Sequence, residues 1–171
     1  MKQLNLFSPE SHKHSEQKSK IHYWKMFVDG ASRNNPGLAG VGIVIFKDDK
    51  QFKQYGFFVG SKTNNQAEYL ALVLGLFIVK SLMAADDLLT IISDSELVVK
   101  HIKGLYKVKH PDLKLLYMVV QRLLVGFKYD IGHVLRHENK LADKLANKGI
   151  DQHIVVPQDL NLALNEYGIS I

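Results

Sequence analysis

Tyr23-Trp24-Lys25-Met26-Phe27-Val28-Asp29-Gly30-Ala31-Ser32-Arg33-Asn34-Asn35-Pro36-Gly37 is the stretch from which the architecture is read. The apolar run Tyr23 to Val28 has the length and residue types of a strand, and it stops at an acid, Asp29. Asn34-Asn35-Pro36-Gly37 then signals a turn. A second apolar run, Val41 to Phe46, follows at once. After the polar Lys47-Asp48-Asp49-Lys50 comes an alternating one, Phe52 to Val59. Three strands joined by short links predict an antiparallel meander.

Downstream the period changes. Ala67, Leu70, Ala71, Leu74, Phe77, Ile78 and Leu82 fall at helical spacing over a stretch too long for a strand. Leu88 to Ile92 reads as a short buried strand ending at Ser93-Asp94-Ser95, and a brief helix from Glu96 stops at Gly104. Pro111 suits the first turn of a helix whose apolar face carries Leu113, Leu116, Tyr117, Val120 and Leu124. A last strand, about Lys128 to Leu135, precedes a helix with Leu141, Ala142, Leu145 and Ala146 on one face. The order βββ-α-β-α-α-β-α predicts an α/β fold, with one mixed five-stranded sheet and helices packed on its faces. We place this domain at residues 21–154. Before it, residues 1–20 read as a flexible tail, because Ser8 to Lys20 is polar, charged and aperiodic. Residues 155–171 form an extension with some helical material (Leu160 to Tyr167) and no assigned role.

Composition narrows the class. The 171 residues suit one domain with modest tails. The absence of cysteine excludes disulfides and thiolate metal sites and accords with a reducing, cytoplasmic setting. No run approaches the roughly 20 apolar residues of a membrane span, and polar residues follow Phe7 where a secretory signal would continue apolar. A net charge of +5 favours polyanions only weakly.

Four acids stand out: Asp29, Glu68, Asp94 and Asp143. Each has an ordinary alternative. Asp29-Gly30 is a turn dipeptide, Glu68 follows Asn65 at capping-box spacing, Asp94 is placed to cap a helix, and Asp143 is a solvated helix acid. Their joint placement favours chemistry. Asp29 and Asp94 end apolar strands, where ligand groups collect in open α/β sheets, and Glu68 and Asp143 open helices. Converging carboxylates repel one another unless cations intervene. Hard, oxygen-preferring Mg²⁺ or Mn²⁺ meets that need, and two such ions serve phosphodiester cleavage.

The motifs around these acids carry a resemblance. Phe27 to Gly37, Thr63-Asn64-Asn65-Gln66-Ala67-Glu68, Ser93-Asp94-Ser95 and Asn139-Lys140-Leu141-Ala142-Asp143-Lys144-Leu145-Ala146-Asn147 resemble type 1 ribonuclease H in order and spacing, over about Tyr23 to Gly149. The resemblance implies a ribonuclease H-like fold and two Mg²⁺ ions (or Mn²⁺) on Asp29, Glu68, Asp94 and Asp143. It also implies hydrolysis of the RNA strand of RNA–DNA hybrids to 5′-phosphate and 3′-hydroxyl ends; a monomer is expected. Asn34, Thr63, Asn64 and Gln66 stand where relatives touch the nucleic acid, although turn formation and capping would explain Asn34 and Thr63 equally. Many relatives carry a mobile catalytic histidine before the helix of the fourth acid. Here that loop is compressed to Arg136-His137-Glu138, so His137 or Arg136 is the candidate, as in the short-loop, archaeal-like bacterial branch. His133 is expected in the strand, with Ile131 and Leu135 on the same side. The basic protrusion of some relatives is reduced to Lys103 to Pro111, which implies a weaker grip on the hybrid.

Gln3-Leu4-Asn5-Leu6-Phe7 resembles the peptide by which bacterial replication and repair proteins bind the β sliding clamp. Gln3, Leu4, Leu6 and Phe7 would make the contacts, and tethering would offset weak substrate affinity. The alternative is that these apolar residues dock on their own domain.

Overall fold

A computed structural model describes residues 20–171. The expected flexible tail, apart from its last residue, and the Gln3 to Phe7 motif lie outside the described residues.

The meander is β1 (Tyr23–Ser32), β2 (Gly37–Lys47) and β3 (Lys50–Lys62), each antiparallel to the next. Then come α1 (Asn64–Lys80), β4 (Leu88–Ser93), α2 (Glu96–Ile102), α3 (Pro111–Leu124), β5 (Lys128–His133), α4 (Lys140–Asp151) and α5 (Gln158–Glu166). The sheet order is β3-β2-β1-β4-β5, with β4 parallel to β1 and β5 parallel to β4. This is the mixed five-stranded sheet expected from the hydrophobic pattern. It puts β1 and β4, the strands leading to Asp29 and Asp94, side by side at the centre.

Period-two alternation in β1 sends Trp24, Met26 and Val28 into the core. They meet α1, which is buried almost all round between the sheet and α3. On the opposite face, Val44, Phe27 and Phe46 pack against Ala142 and Leu145 of α4. Two glycines let these helices lie close. A Cβ on Gly30 would fall 2.1 Å from backbone atoms of Ala67 and Glu68, and one on Gly42 would fall 1.9 Å from the Ala142 carbonyl oxygen. Both close approaches carry an acid-bearing helix onto the strands beside Asp29.

Two details differ from the sequence reading. β5 ends at His133, paired with Ser93 at the end of β4, because its partner strand stops there. His133 is therefore exposed and does not share the buried setting of Ile131, while Leu135 is 60% exposed beyond the strand. The other is the placing of α5, which runs from Gln158 to Glu166 where the sequence suggested helical material over Leu160 to Tyr167, and which packs on the domain. Its Leu164 and the following Ile169 are buried, and the Tyr167 ring lies 5.7 Å from Phe77 of α1. No helix among the described residues is long and apolar enough to cross a membrane.

Candidate metal centre

Asp29 sits within β1 opposite Gly42, buried to 4% exposure, and not in a turn. One pair earlier in the parallel register, Val28 faces Ser93, so Asp94 leaves β4 beside Asp29. Glu68 arrives from the first turns of α1, and its Oε2 accepts the Gly30 backbone N–H at 3.2 Å. One carboxylate oxygen each from Asp29, Glu68 and Asp94 lies within 4.8 Å of the others. Two of these three acids are buried.

Such crowding shows in the proton affinities. Burial, and after it the neighbouring Asp94 and Asp143 carboxylates, raise the Asp29 pKa to about 7, against the pull of Arg136 and the Gly30 N–H. Glu68 is pushed well above the ordinary carboxylate range by burial, then by Asp29 and Asp94. A site that resists its own ionisation is one that an added dication relieves. The donors are all carboxylate oxygens, the set that Mg²⁺ and Mn²⁺ prefer. The residues fit the ion.

Asp143 stands apart from this trio. It opens α4, half-buried, and its Oδ1 accepts a hydrogen bond from Arg136 Nη2 at 2.9 Å. The compressed loop is a single 3-10 turn, Arg136–Glu138, closed by the Leu135 N–H donating to Glu138 Oε2 at 3.0 Å. Arg136, His137, Lys140, Leu135 and Asp143 line an open groove of about 590 Å³. His133 approaches from β5, its Nε2 3.2 Å from the Asp94 carbonyl oxygen.

The ordinary alternatives fare unevenly. The capping box of α1 is formed by Thr63 and Gln66, not by Asn65 and Glu68, so Glu68 is free for other work. Ser95, not Asp94, caps α2. Thr63 does cap: its hydroxyl accepts the Gln66 N–H at 3.2 Å while Gln66 Oε1 accepts the Thr63 N–H at 2.8 Å. Asn34 takes the positive φ of a turn residue, and the Asn64 N–H donates to Asn35 Oδ1 at 2.7 Å. The loop with Asn34 and the start of α1 are thereby joined beside Glu68.

One residue escaped the sequence reading. Asn139 is 1% exposed, and its amide donates to the Val28 carbonyl at 2.9 Å and to Asp94 Oδ1 at 2.7 Å. Its only signal was membership of the Asn139 to Asn147 motif.

Fold and site together define a ribonuclease H-like α/β domain with a cluster of carboxylate oxygen donors. The family described as Reverse transcriptase-like matches residues 27–149. The ribonuclease HI of Halobacterium salinarum is 41% identical over 130 residues, covering 73% of this chain and 63% of that protein. The ribonuclease H of Pseudomonas fluorescens is 33% identical over 143 residues, covering 75% of this chain and 90% of that one. Among solved structures, LC11-RNase H1 in complex with an RNA/DNA hybrid superposes with a TM-score of 0.72 at 32% identity, over 75% of this chain and 97% of that one. The chain belongs to the ribonuclease HI family. It spans only 34% of the length of mycobacterial relatives that it matches at 41% identity.

Proposed function

We propose that this protein is an endoribonuclease that hydrolyses the RNA strand of RNA–DNA hybrids, leaving 5′-phosphate and 3′-hydroxyl ends. Asp29, Glu68, Asp94 and Asp143 hold two Mg²⁺ ions, with Mn²⁺ as a substitute. The observation that carries this reading is the gathering of the Asp29, Glu68 and Asp94 carboxylates within 4.8 Å of one another at the centre of the sheet. The hybrid complex of LC11-RNase H1, similar over most of this domain, supports the choice of substrate.

A bound ion pair would supply Lewis acidity to the phosphodiester and a more acidic water. The chain's own groups do the rest. Gly30 fixes the Glu68 carboxylate through its N–H, and Asp29 is held rigid inside β1. Asp143, half-buried, is paired with Arg136. The Arg136 guanidinium is 80% exposed at the groove, where it meets phosphate charge. His137 lines the same groove and is the candidate to protonate the leaving 3′ oxygen. Asn34, Thr63, Asn64 and Gln66 present short polar groups to the RNA strand, whose 2′-hydroxyl distinguishes it from DNA.

Gln3, Leu4, Leu6 and Phe7 are proposed to dock on the β sliding clamp, keeping a cytoplasmic monomer near its substrate. A Leu6→Ala, Phe7→Ala double variant that binds purified clamp as tightly as the wild type would remove this part of the reading. The function itself is tested with end-labelled RNA–DNA hybrid, duplex DNA and duplex RNA, each with and without Mg²⁺ or Mn²⁺. Cation-dependent cleavage confined to the RNA of the hybrid is expected. Cation-independent cleavage, or none, contradicts it.

A further inference from the structure

We propose that Asn139 is the positioning residue of the acid cluster, its single amide setting the Asp94 carboxylate against the backbone of Asp29 and the helix of Asp143. This rests on the reading of the cluster as a dication site.

Asn139 occupies the N-cap position of α4, where an asparagine side chain ordinarily accepts a free helix N–H. Here it makes no capping bond, and its backbone (φ −104°, ψ 15°) lies outside the extended region typical of caps. Both hydrogens of Nδ2 are instead spent on the Val28 carbonyl and Asp94 Oδ1. Those two acceptors fix the amide's orientation, because the flipped amide would set oxygen against oxygen. Oδ1 is buried without a hydrogen-bond partner among the described residues. A side chain serving only to start a helix would turn that oxygen toward the helix N–H groups.

Position gives the bond pair its consequence. The Val28 carbonyl belongs to the peptide that leads into Asp29. The Asn139 carbonyl accepts the Asp143 N–H at 3.1 Å. One residue therefore links β1 at Asp29, the side chain of Asp94 and the first turn bearing Asp143. Held this way, Asp94 has its rotamer selected before a cation arrives. Without the amide, its carboxylate would turn toward solvent and away from the like charge of Asp29.

Few other side chains can do this. Serine preserves the capping preference but is too short to reach both acceptors, and alanine removes the donor altogether. The test uses the full chain, as wild type, Asn139→Ser, Asn139→Ala and Asp87→Ala. Asp87 holds the indole N–H of Trp24 at 2.8 Å and the Ala84 N–H at 3.0 Å, so its loss weakens the fold without touching the acids. Calorimetric titration with Mn²⁺ alone reads cation affinity, and hydrolysis of a labelled hybrid reads kcat and KM.

Both Asn139 variants are expected to bind Mn²⁺ about tenfold or more weakly, the scale seen when groups orienting metal ligands are removed. Their kcat should fall at least as far, with KM changed less than about threefold, because substrate grip is untouched. Asp87→Ala should melt earlier and keep wild-type Mn²⁺ affinity. Serine and alanine variants with wild-type affinity and kcat overturn the proposal, as does an equal loss of affinity in Asp87→Ala. If Asn139→Ala does not fold, the serine variant decides alone. If the wild type takes up no Mn²⁺, the dication reading itself falls, a result distinct from failure of the Asn139 role.

Discussion

Gly30 and Glu68 meet where α1 crosses β1: the glycine N–H donates to the glutamate Oε2 at 3.2 Å, with no room for a Cβ between strand and helix. Glu68 reaches the cluster because of that contact. Gly30→Ala would force α1 outward against backbone atoms that cannot rotate away. We expect a loss of about 1–3 kcal/mol, the usual cost of overpacking, read as a lower melting temperature. Hybrid hydrolysis should fall even at temperatures where the variant remains folded. A variant with wild-type stability and rate would show that α1 has room to move.

Proton linkage gives a second expectation. The Asp29 pKa is about 7 in the folded protein against 3.8 when free. Between those values the native state keeps a proton that the unfolded chain has released. Its contribution to stability is therefore present below about pH 4 and is lost as pH rises toward 7. Glu68 shifts the same way. Cation-free protein should lose more stability from pH 5 to pH 8 than its Asp29→Asn variant does. Saturating Mg²⁺ should raise the wild-type melting temperature more at pH 8 than at pH 5. An equal rise at both pH values contradicts the raised pKa.

Arg136 separates stability from function. Its pair with Asp143 joins an 80% exposed guanidinium to a 30% exposed carboxylate. Exposed pairs contribute about 0–1 kcal/mol, so Arg136→Ala should melt within a few degrees of the wild type. Hydrolysis should slow by about tenfold, or about 1.4 kcal/mol of barrier, because the groove loses the guanidinium proposed to face phosphate. A large melting shift with unchanged rate would make the pair structural.

Much of the fold was legible in the sequence because its signals are local and periodic. The apolar run Tyr23 to Val28, the helical spacing from Ala67 and the stop at Gly104 each report on a few neighbouring residues. Other features depend on contacts distant in sequence. β5 stops at His133 because β4 ends beside it, which no reading of residues 128–135 alone reveals. The last helix is largely exposed and gains its place through Leu164, Ile169 and the Tyr167–Phe77 contact. The sequence grouped all four acids; the structure gathers Asp29, Glu68 and Asp94, whereas the attachment of Asp143 to Arg136 needed the geometry of the 3-10 turn. Asn139 was hidden by its own plausibility, since asparagine before a helix ordinarily needs no explanation beyond capping.

These carboxylates are proposed to hold cations for hydrolysis of the hybrid's RNA strand. Asp94→Asn tests this most directly, because the substitution removes one charge and keeps the shape of the side chain. In saturating Mg²⁺, single-turnover cleavage of a labelled RNA–DNA hybrid should fall by about a hundredfold or more, the scale of losing one preorganised electrostatic group. The circular dichroism spectrum should match the wild type. Cleavage at a rate close to wild type by a folded Asp94→Asn protein would contradict the account.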